Sequence, residues 1–196
     1  MSLLLRELAP LLPLIAAVAV CDVAGARAEI KWPNDVVLDS HTTSGGPGLA
    51  KLAGILVEGR PQERWAVLGI GLNVAVRIEE LPPELHPDAA DTTRSSTGMP
   101  AATMGMTPAD VEPTLTQLLH ALEQRLSEPA HSTLQAWRAK DALLGREIAW
   151  GTPGADRPPL RGQAEGIDGT GRLIVALADG GRTTIGAGEV HLQEIS

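Results

Sequence analysis

Phenylalanine and tyrosine are absent from these 196 residues, and four tryptophans are the whole aromatic complement. The interior must therefore be filled by Leu, Val, Ile and Ala, an alanine-heavy coding bias that carries no functional signal. Cysteine is almost as scarce: Cys21 stands alone, so no internal disulfide can form. No second Cys or His sits beside it at metal-ligand spacing, and a reducing compartment, the cytoplasm, fits best. Cations are few as well, with 16 Lys and Arg against 24 Asp and Glu for a net charge of −8. Counterion release on nucleic acid needs clustered Lys and Arg, so that class of partner is excluded in favour of small molecules or another protein. The longest apolar run, LAPLLPLIAAVAV at residues 8–20, is broken by Pro10 and Pro13 and preceded by Arg6 and Glu7. A bilayer span needs about 20 apolar residues, so this stretch reads as a buried helix and no membrane partner is expected.

What is present describes a globular chain. Hydrophobic residues make up 43% and charged residues 20%, close enough to the usual averages to exclude disorder as the starting point. The length suits one main core and a small appendix. SLLLRE at residues 2–7 reads as a strand. From Pro10 onward Leu11, Leu14, Ile15, Val18 and Ala19 share a helical face, and Gly25 supplies a stop. Short aliphatic runs at 28–31, 36–38, 51–58 and 65–74 follow as neighbouring strands. Residues 39–49, DSHTTSGGPGL, read as a long hairpin loop, and 81–106 as an irregular stretch that is either functional or disordered.

Thr107, with Pro108, Asp110 and Glu112 behind it, predicts a helix start. Val111, Leu115, Leu118, Leu119, Leu122 and Leu126 form the stripe expected to be buried. The run STLQ at 132–135 has capping-box spacing and predicts a further helix carrying Leu134, Trp137 and Leu144, closed by Gly145. Beyond it five short β runs with Gly-rich turns read as a small barrel or sandwich. The expected organisation is α+β, with a mixed β-sheet packed with helices in residues 1–144 and a β domain in 145–196.

Two clusters carry chemistry. In EIKWPNDVVL, residues 29–38, Lys31 ends a strand and is followed by Trp32 and Pro33, which resist further pairing. An ammonium held there suits an anionic group, although most lysines are simply solvated. Asn34 and Asp35 read first as Asx-type turn residues. In KLAGILVEG (51–59) and AVLGIGLNV (66–74), glycines interrupt apolar strands. Each alone suits a bulge or a tight contact. Gly54, Gly69 and Gly71 together, beside a lysine and ended by Asn73, suit a flat apolar ligand lying against backbone.

The ordered succession KWPNDVVL, KLAGILVEG and GIGLNV resembles the catalytic domain of biotin protein ligases, whose scaffold is class II synthetase-like. LLGREIAW, GQAEGIDGTGRLIVAL and GEVHLQEI resemble the same family's small SH3-like β-barrel. The resemblance implies ATP-dependent activation of biotin as biotinyl-AMP with Mg²⁺, then transfer to a lysine of a biotin carboxyl carrier domain. It implies Lys31 as the catalytic lysine contacting both the biotin carboxylate and the α-phosphate. Gly54, Gly69 and Gly71 would be biotin contacts, and Asn34 and Asn73 would lie on the nucleotide side. Lipoate-type acyl transfer is a related but weaker reading, and a non-catalytic acceptor-docking module a different one. The family's GRGR-type loop and an earlier Ser/Thr pair have no match, so a chain starting just after that loop is expected. Such a chain would have reduced turnover and an exposed sheet edge that invites a homodimer. No winged-helix segment supports a repressor role.

Overall fold

Between Leu12 and Ala24 only Asp22 carries a charge, and this stretch forms helix α1 (Leu12–Ala24), buried without interruption from Leu14 through Cys21. The computed structural model describes residues 1–6, 9, 11–41, 47–60, 64–86, 99–151, 159–186 and 190–192. No helix among them is long and apolar enough to cross a membrane. Pro13 occupies the first turn of α1, where its missing N–H costs nothing, and Gly25, at φ 94°, ends the helix with its N–H on the Cys21 carbonyl at 3.0 Å. The one-sided face expected from the sequence is widened to the full circumference. Strands cover one side of α1, while helices α2 (Val111–Ser127) and α3 (Ala130–Arg138) cover the other. Ala16, Ala17 and Ala19 keep the contact close, and burial pushes the Cys21 thiol up to about 12, leaving it a packing group.

The sheet against α1 contains β1 (Ser2–Leu5), β2 (Glu29–Lys31), β3 (Asp35–His41), β4 (Pro47–Arg60) and β5 (Trp65–Leu72) in the order β1-β5-β4-β3-β2. Its neighbours all run antiparallel, which corrects the mixed sheet expected from the sequence. Ile30, Val36, Ala53, Ile55, Leu68 and Ile70 point into the core. The β3–β4 ladder also runs further than expected, through Asp39↔Leu49, Ser40↔Gly48 and His41↔Pro47. Leu49 drives this extension, because Val37 and Ala142 bury it. The tip of that loop, residues 42–46, lies outside the described residues, as do 87–98 of the second irregular stretch. Just before that stretch is a 3₁₀ turn at Ile78–Glu80, and its described part contains another at Pro83–Leu85, then an extended strap over 99–106.

The helix start expected at Thr107 is present, and there Thr107 and Asp110 form a capping box through a 3₁₀ turn that runs into α2. The stripe on α2 is only half realised. Thr114, Leu118 and Leu122 face the core, whereas Val111, Leu115 and Leu119 are 46%, 39% and 40% exposed. The six apolar positions are wider than the ridge that α1 accepts. Arg125 fixes the rotation by bonding Asp22 of α1 at 2.7 Å and Glu128 at 2.9 Å. Helix α3 begins at Ala130 behind Pro129 rather than at Ser132, and Leu144 lies beyond it, 59% exposed.

A second antiparallel sheet contains β6 (Glu147–Trp150), β7 (Leu160–Ile167), β8 (Leu173–Ala176), β9 (Arg182–Ile185) and β10 (Val190–Leu192) in the order β10-β6-β7-β8-β9. The expected barrel does not close: among the described residues β9 and β10 are opposite edges. Gly145, at φ 76°, marks the turn into this sheet, yet one buried cluster runs through both sheets, from Ile15 and Trp32 to Ile148, Leu173 and Val190. The Trp32 indole N–H donates to the Gly171 carbonyl at 3.0 Å, and Arg138 donates to the Ile167 carbonyl at 3.0 Å.

Asp141 lies at this junction, bridged to Ile30, with Oδ2 buried and lacking a hydrogen-bond partner. Burial pushes its carboxyl up from 3.8 to about 6. Below about pH 4 the folded and unfolded chains both hold this proton. Between about pH 4 and pH 6 only the folded chain keeps it, so stability is lost as pH rises through that window and the penalty is constant above it. Asp141→Asn is therefore expected to gain on the parent across the same window, by about 1–3 kcal/mol at neutral pH. Denaturant midpoints measured between pH 4 and 7 would show the gap; a gap independent of pH would contradict it.

Candidate functional site: a glycine-floored cleft

Strand pairing places Lys31, Asp35, Gly54 and Gly71 opposite one another across four strands, on the sheet face away from α1. One step along, Leu56, Gly69 and Ser2 form a parallel row. A cleft of about 410 Å³ lies over β4 and β5, lined by Asn34, Lys51, Gly54, Leu56, Gly69 and Gly71 together with Met1, Ile55 and Ile70. The sequence-predicted glycines thus converge on one floor.

None of these three glycines has a positive φ, so backbone strain does not require them. A Cβ on Gly71 would meet nothing within 4 Å, and one on Gly69 would come no nearer than 3.6 Å to the Leu56 carbonyl. Packing does not require glycine at either position, and what the missing side chains leave is room above the sheet. Gly54 differs: a Cβ there would lie 3.1 Å from Lys51 Cε and 3.2 Å from its Nζ. The Lys51 ammonium therefore rests directly on Gly54.

Lys51 lines the cleft, on the sheet face that also carries Lys31. Lys31 is on edge strand β2, and at about 4.8 Å per strand its backbone is about 10 Å from Gly54 and farther from Gly71. Lys51 reaches the cleft through a β-bulge. Strict alternation from Gly54 would send Ala53 and Lys51 inward and Leu52 outward. Instead the register slips between Val36↔Ala53 and Val37↔Lys51, so Leu52 and Ala53 are both buried and Lys51 turns out to the cleft. Its Nζ lies 2.6 Å from Asp35 Oδ1, with the lysine side chain 43% and the aspartate 14% exposed. The only sequence trace of this is the pair of adjacent apolar residues between Lys51 and Gly54.

The two asparagines do different work. Asn34 follows the cis Trp32–Pro33 peptide and bonds across to β4 rather than within its own turn. Its Nδ2 donates to the Ile55 carbonyl at 2.7 Å, and the Ile55 N–H donates to the Asn34 carbonyl at 2.8 Å. Asn73 is not among the residues lining the cleft; its side chain donates to the Ala102 carbonyl at 2.9 Å, tying the strap to the sheet.

Among the described residues no three His, Cys, Asp or Glu stand together where they could hold a metal ion. Asp35, the carboxylate beside the cleft's cation, is paired with Lys51. The described residues therefore form no protein-built cage for Mg²⁺.

Chemically, the cleft offers a backbone-floored slot with the Lys51 ammonium at its side, a shape suited to a small flat ligand ending in an anion. Residues 143–192 match the family described as biotin protein ligase C terminal domain. A biotin–[acetyl-CoA-carboxylase] ligase of Mycobacterium tuberculosis is 33% identical over 194 residues, covering 93% of this chain and 62% of that protein. One from Paracoccus denitrificans is 33% identical over 194 residues, covering 91% of this chain and 71% of its own length. In fold, the chain resembles the Aquifex aeolicus biotin protein ligase solved in complex with biotin and ATP, with a TM-score of 0.72 at 22% identity, over 99% of this chain and 77% of that one. A likeness that runs through both sheets, at this identity over nearly the whole chain, has one reading: the chain belongs to the biotin protein ligase family.

Proposed function

We propose that the cleft binds biotin with its rings on the glycine floor and its carboxylate at Lys51. In this reading a biotin carboxylate oxygen attacks the α-phosphorus of ATP and pyrophosphate leaves, giving biotinyl-AMP. A lysine amine of a carrier domain then attacks the acyl carbon, the amide forms, and AMP departs. Lys51 offsets the negative charge that accumulates between carboxylate and phosphate, a role that oriented cations perform best where little water competes. Asp35 holds that ammonium over Gly54 until a ligand carboxylate competes for it. Asn34 shapes the wall by locking the KWPND turn to β4. No step is assigned to Mg²⁺.

The observation carrying this reading is the position of the Lys51 ammonium, at the edge of a slot opened by glycines that packing does not demand. Residues 1–144 would supply the chemistry and residues 145–196 would brace it through Trp32 and Gly171. A reducing compartment suits the lone buried thiol of Cys21.

The test incubates the chain with biotin, ATP, Mg²⁺ and a biotin carboxyl carrier domain and weighs the acceptor, with calorimetric titration of biotin alongside. The expected result is saturable biotin binding and an acceptor heavier by one biotinyl group, with no gain when lipoic acid replaces biotin. Carrier association without biotin binding would overturn the proposal in favour of a docking module.

A further inference from the structure

Helix α2 is walled by α1 on one side, and its outer side carries an apolar ridge. Of the eight large hydrophobic side chains left exposed among the described residues, four lie together here: Val111, Leu115 and Leu119, with Met106, whose Sδ accepts from the Thr114 hydroxyl at 3.7 Å. Spaced one helical turn apart, Val111, Leu115 and Leu119 form a continuous ridge beside the buried row Thr114, Leu118 and Leu122. Residues 87–98, the longest stretch outside the described ones, contain no Leu, Ile, Val or Met with which to cover it. A ridge of this spacing fits the groove beside an identical ridge on a second helix, the commonest packing class in globular proteins.

Charge selects the direction of such a pairing. Glu112, Thr116 and His120 run along the solvent side of the ridge, all exposed. Neither the Glu112 carboxylate nor the His120 ring has a partner among the described residues. A parallel pair of α2 helices would set Glu112 against Glu112. An antiparallel pair with Leu115 on a two-fold axis sets it instead against the second copy's His120, an N–H donor in either protonation state, at both ends of the joint. The same axis brings Val111 onto the second copy's Leu119. We propose that two copies of this chain associate through α2, antiparallel across that axis. The surface is distinct from β1 and β2, the edges of the first sheet. Because α1 separates α2 from that sheet, and the cleft opens on the sheet's far face, both clefts of the pair point away from the joint. Loss of the ligase reading would leave this surface as it stands.

One helix face is small among specific interfaces, and two chains of net charge −8 repel, so the dissociation constant is expected at about 10–100 μM. Sedimentation equilibrium of the whole chain, from about 5 to 500 μM at about 0.15 M salt, tests this. The expected result is a reversible monomer–dimer equilibrium. Leu115→Lys places two ammoniums on the axis and should raise the dissociation constant at least about tenfold, with a melting curve close to the parent's because the side chain is already exposed. His120→Glu sets carboxylates against each other at both ends of the joint and should weaken association likewise; it decides the question if the lysine variant does not fold. Adding Glu112→Lys to His120→Glu should bring the parental association back. The two positions are about 12 Å apart along their own helix, so they compensate only across the axis. A chain that stays monomeric throughout overturns the proposal. So does a dimer that Leu115→Lys leaves intact, the outcome expected of pairing through a sheet edge. A double variant no better than His120→Glu alone overturns the antiparallel arrangement and the proposal with it.

Discussion

Lys51→Gln is expected to lower biotinyl-AMP formation by about 10²- to 10³-fold, the range seen when one oriented stabiliser of developing charge is removed. Glutamine is nearly as long and still polar, so the slot keeps its shape and loses only its cation. Lys31→Gln, one row-end away, should change the rate by no more than about fivefold, as for a charge on the outer strand. Comparing the two variants in a pyrophosphate-release assay discriminates between them. Equal losses would mean that both ammoniums serve the bound anion, and a loss confined to Lys31 would sink the assignment to Lys51. Melting temperatures should move little for either, since the Lys51 side chain is nearly half exposed.

Gly71→Val should weaken biotin binding roughly a hundredfold while leaving the fold intact or slightly firmer. Its φ is one that any residue adopts, a Cβ there meets nothing within 4 Å, and valine prefers strands. Replacing a strand glycine relieves about 0.5–1 kcal/mol of conformational entropy cost. The new methyl groups would stand where the ligand rings are placed, and overlap of that kind costs about 3 kcal/mol, roughly a hundredfold in affinity. Calorimetry with biotin and a thermal melt read the two effects separately. Unchanged affinity would show that ligand does not cross Gly71; a collapsed melt would show that the glycine serves packing after all.

The glycine floor was legible because apolar strands interrupted by glycine advertise an unfilled face, and the two strands that carry these glycines, β4 and β5, are neighbours by simple hairpin order. Helix α1 and the helix start at Thr107 were legible for similarly local reasons. The place of Lys51 in the cleft was not, because it turns on one extra residue in β4, a bulge that only the β3 pairing reveals. The strap was hidden in the same way: the partners of Asn73 at Ala102 and Thr103 lie about thirty residues away, reached through a stretch with no periodicity. On α2, six apolar positions offered two adjoining ridges, and only docking against α1 chose Leu118 and Leu122 over Leu115 and Leu119. Local pattern gives the elements, whereas rotation and register come from contacts distant along the chain.

The near-complete enclosure of α1 bears on how the protein is made. At its N-terminal end the helix is covered in part by the turn around Gly171, where a Cβ would lie 3.0 Å from Leu11 and 3.1 Å from Leu14. During synthesis this oily helix leaves the ribosome long before the turn around Gly171 that helps to wall it in. Nascent chains halted before that turn would display this helix end to the surroundings, the kind of surface that holdase chaperones grip.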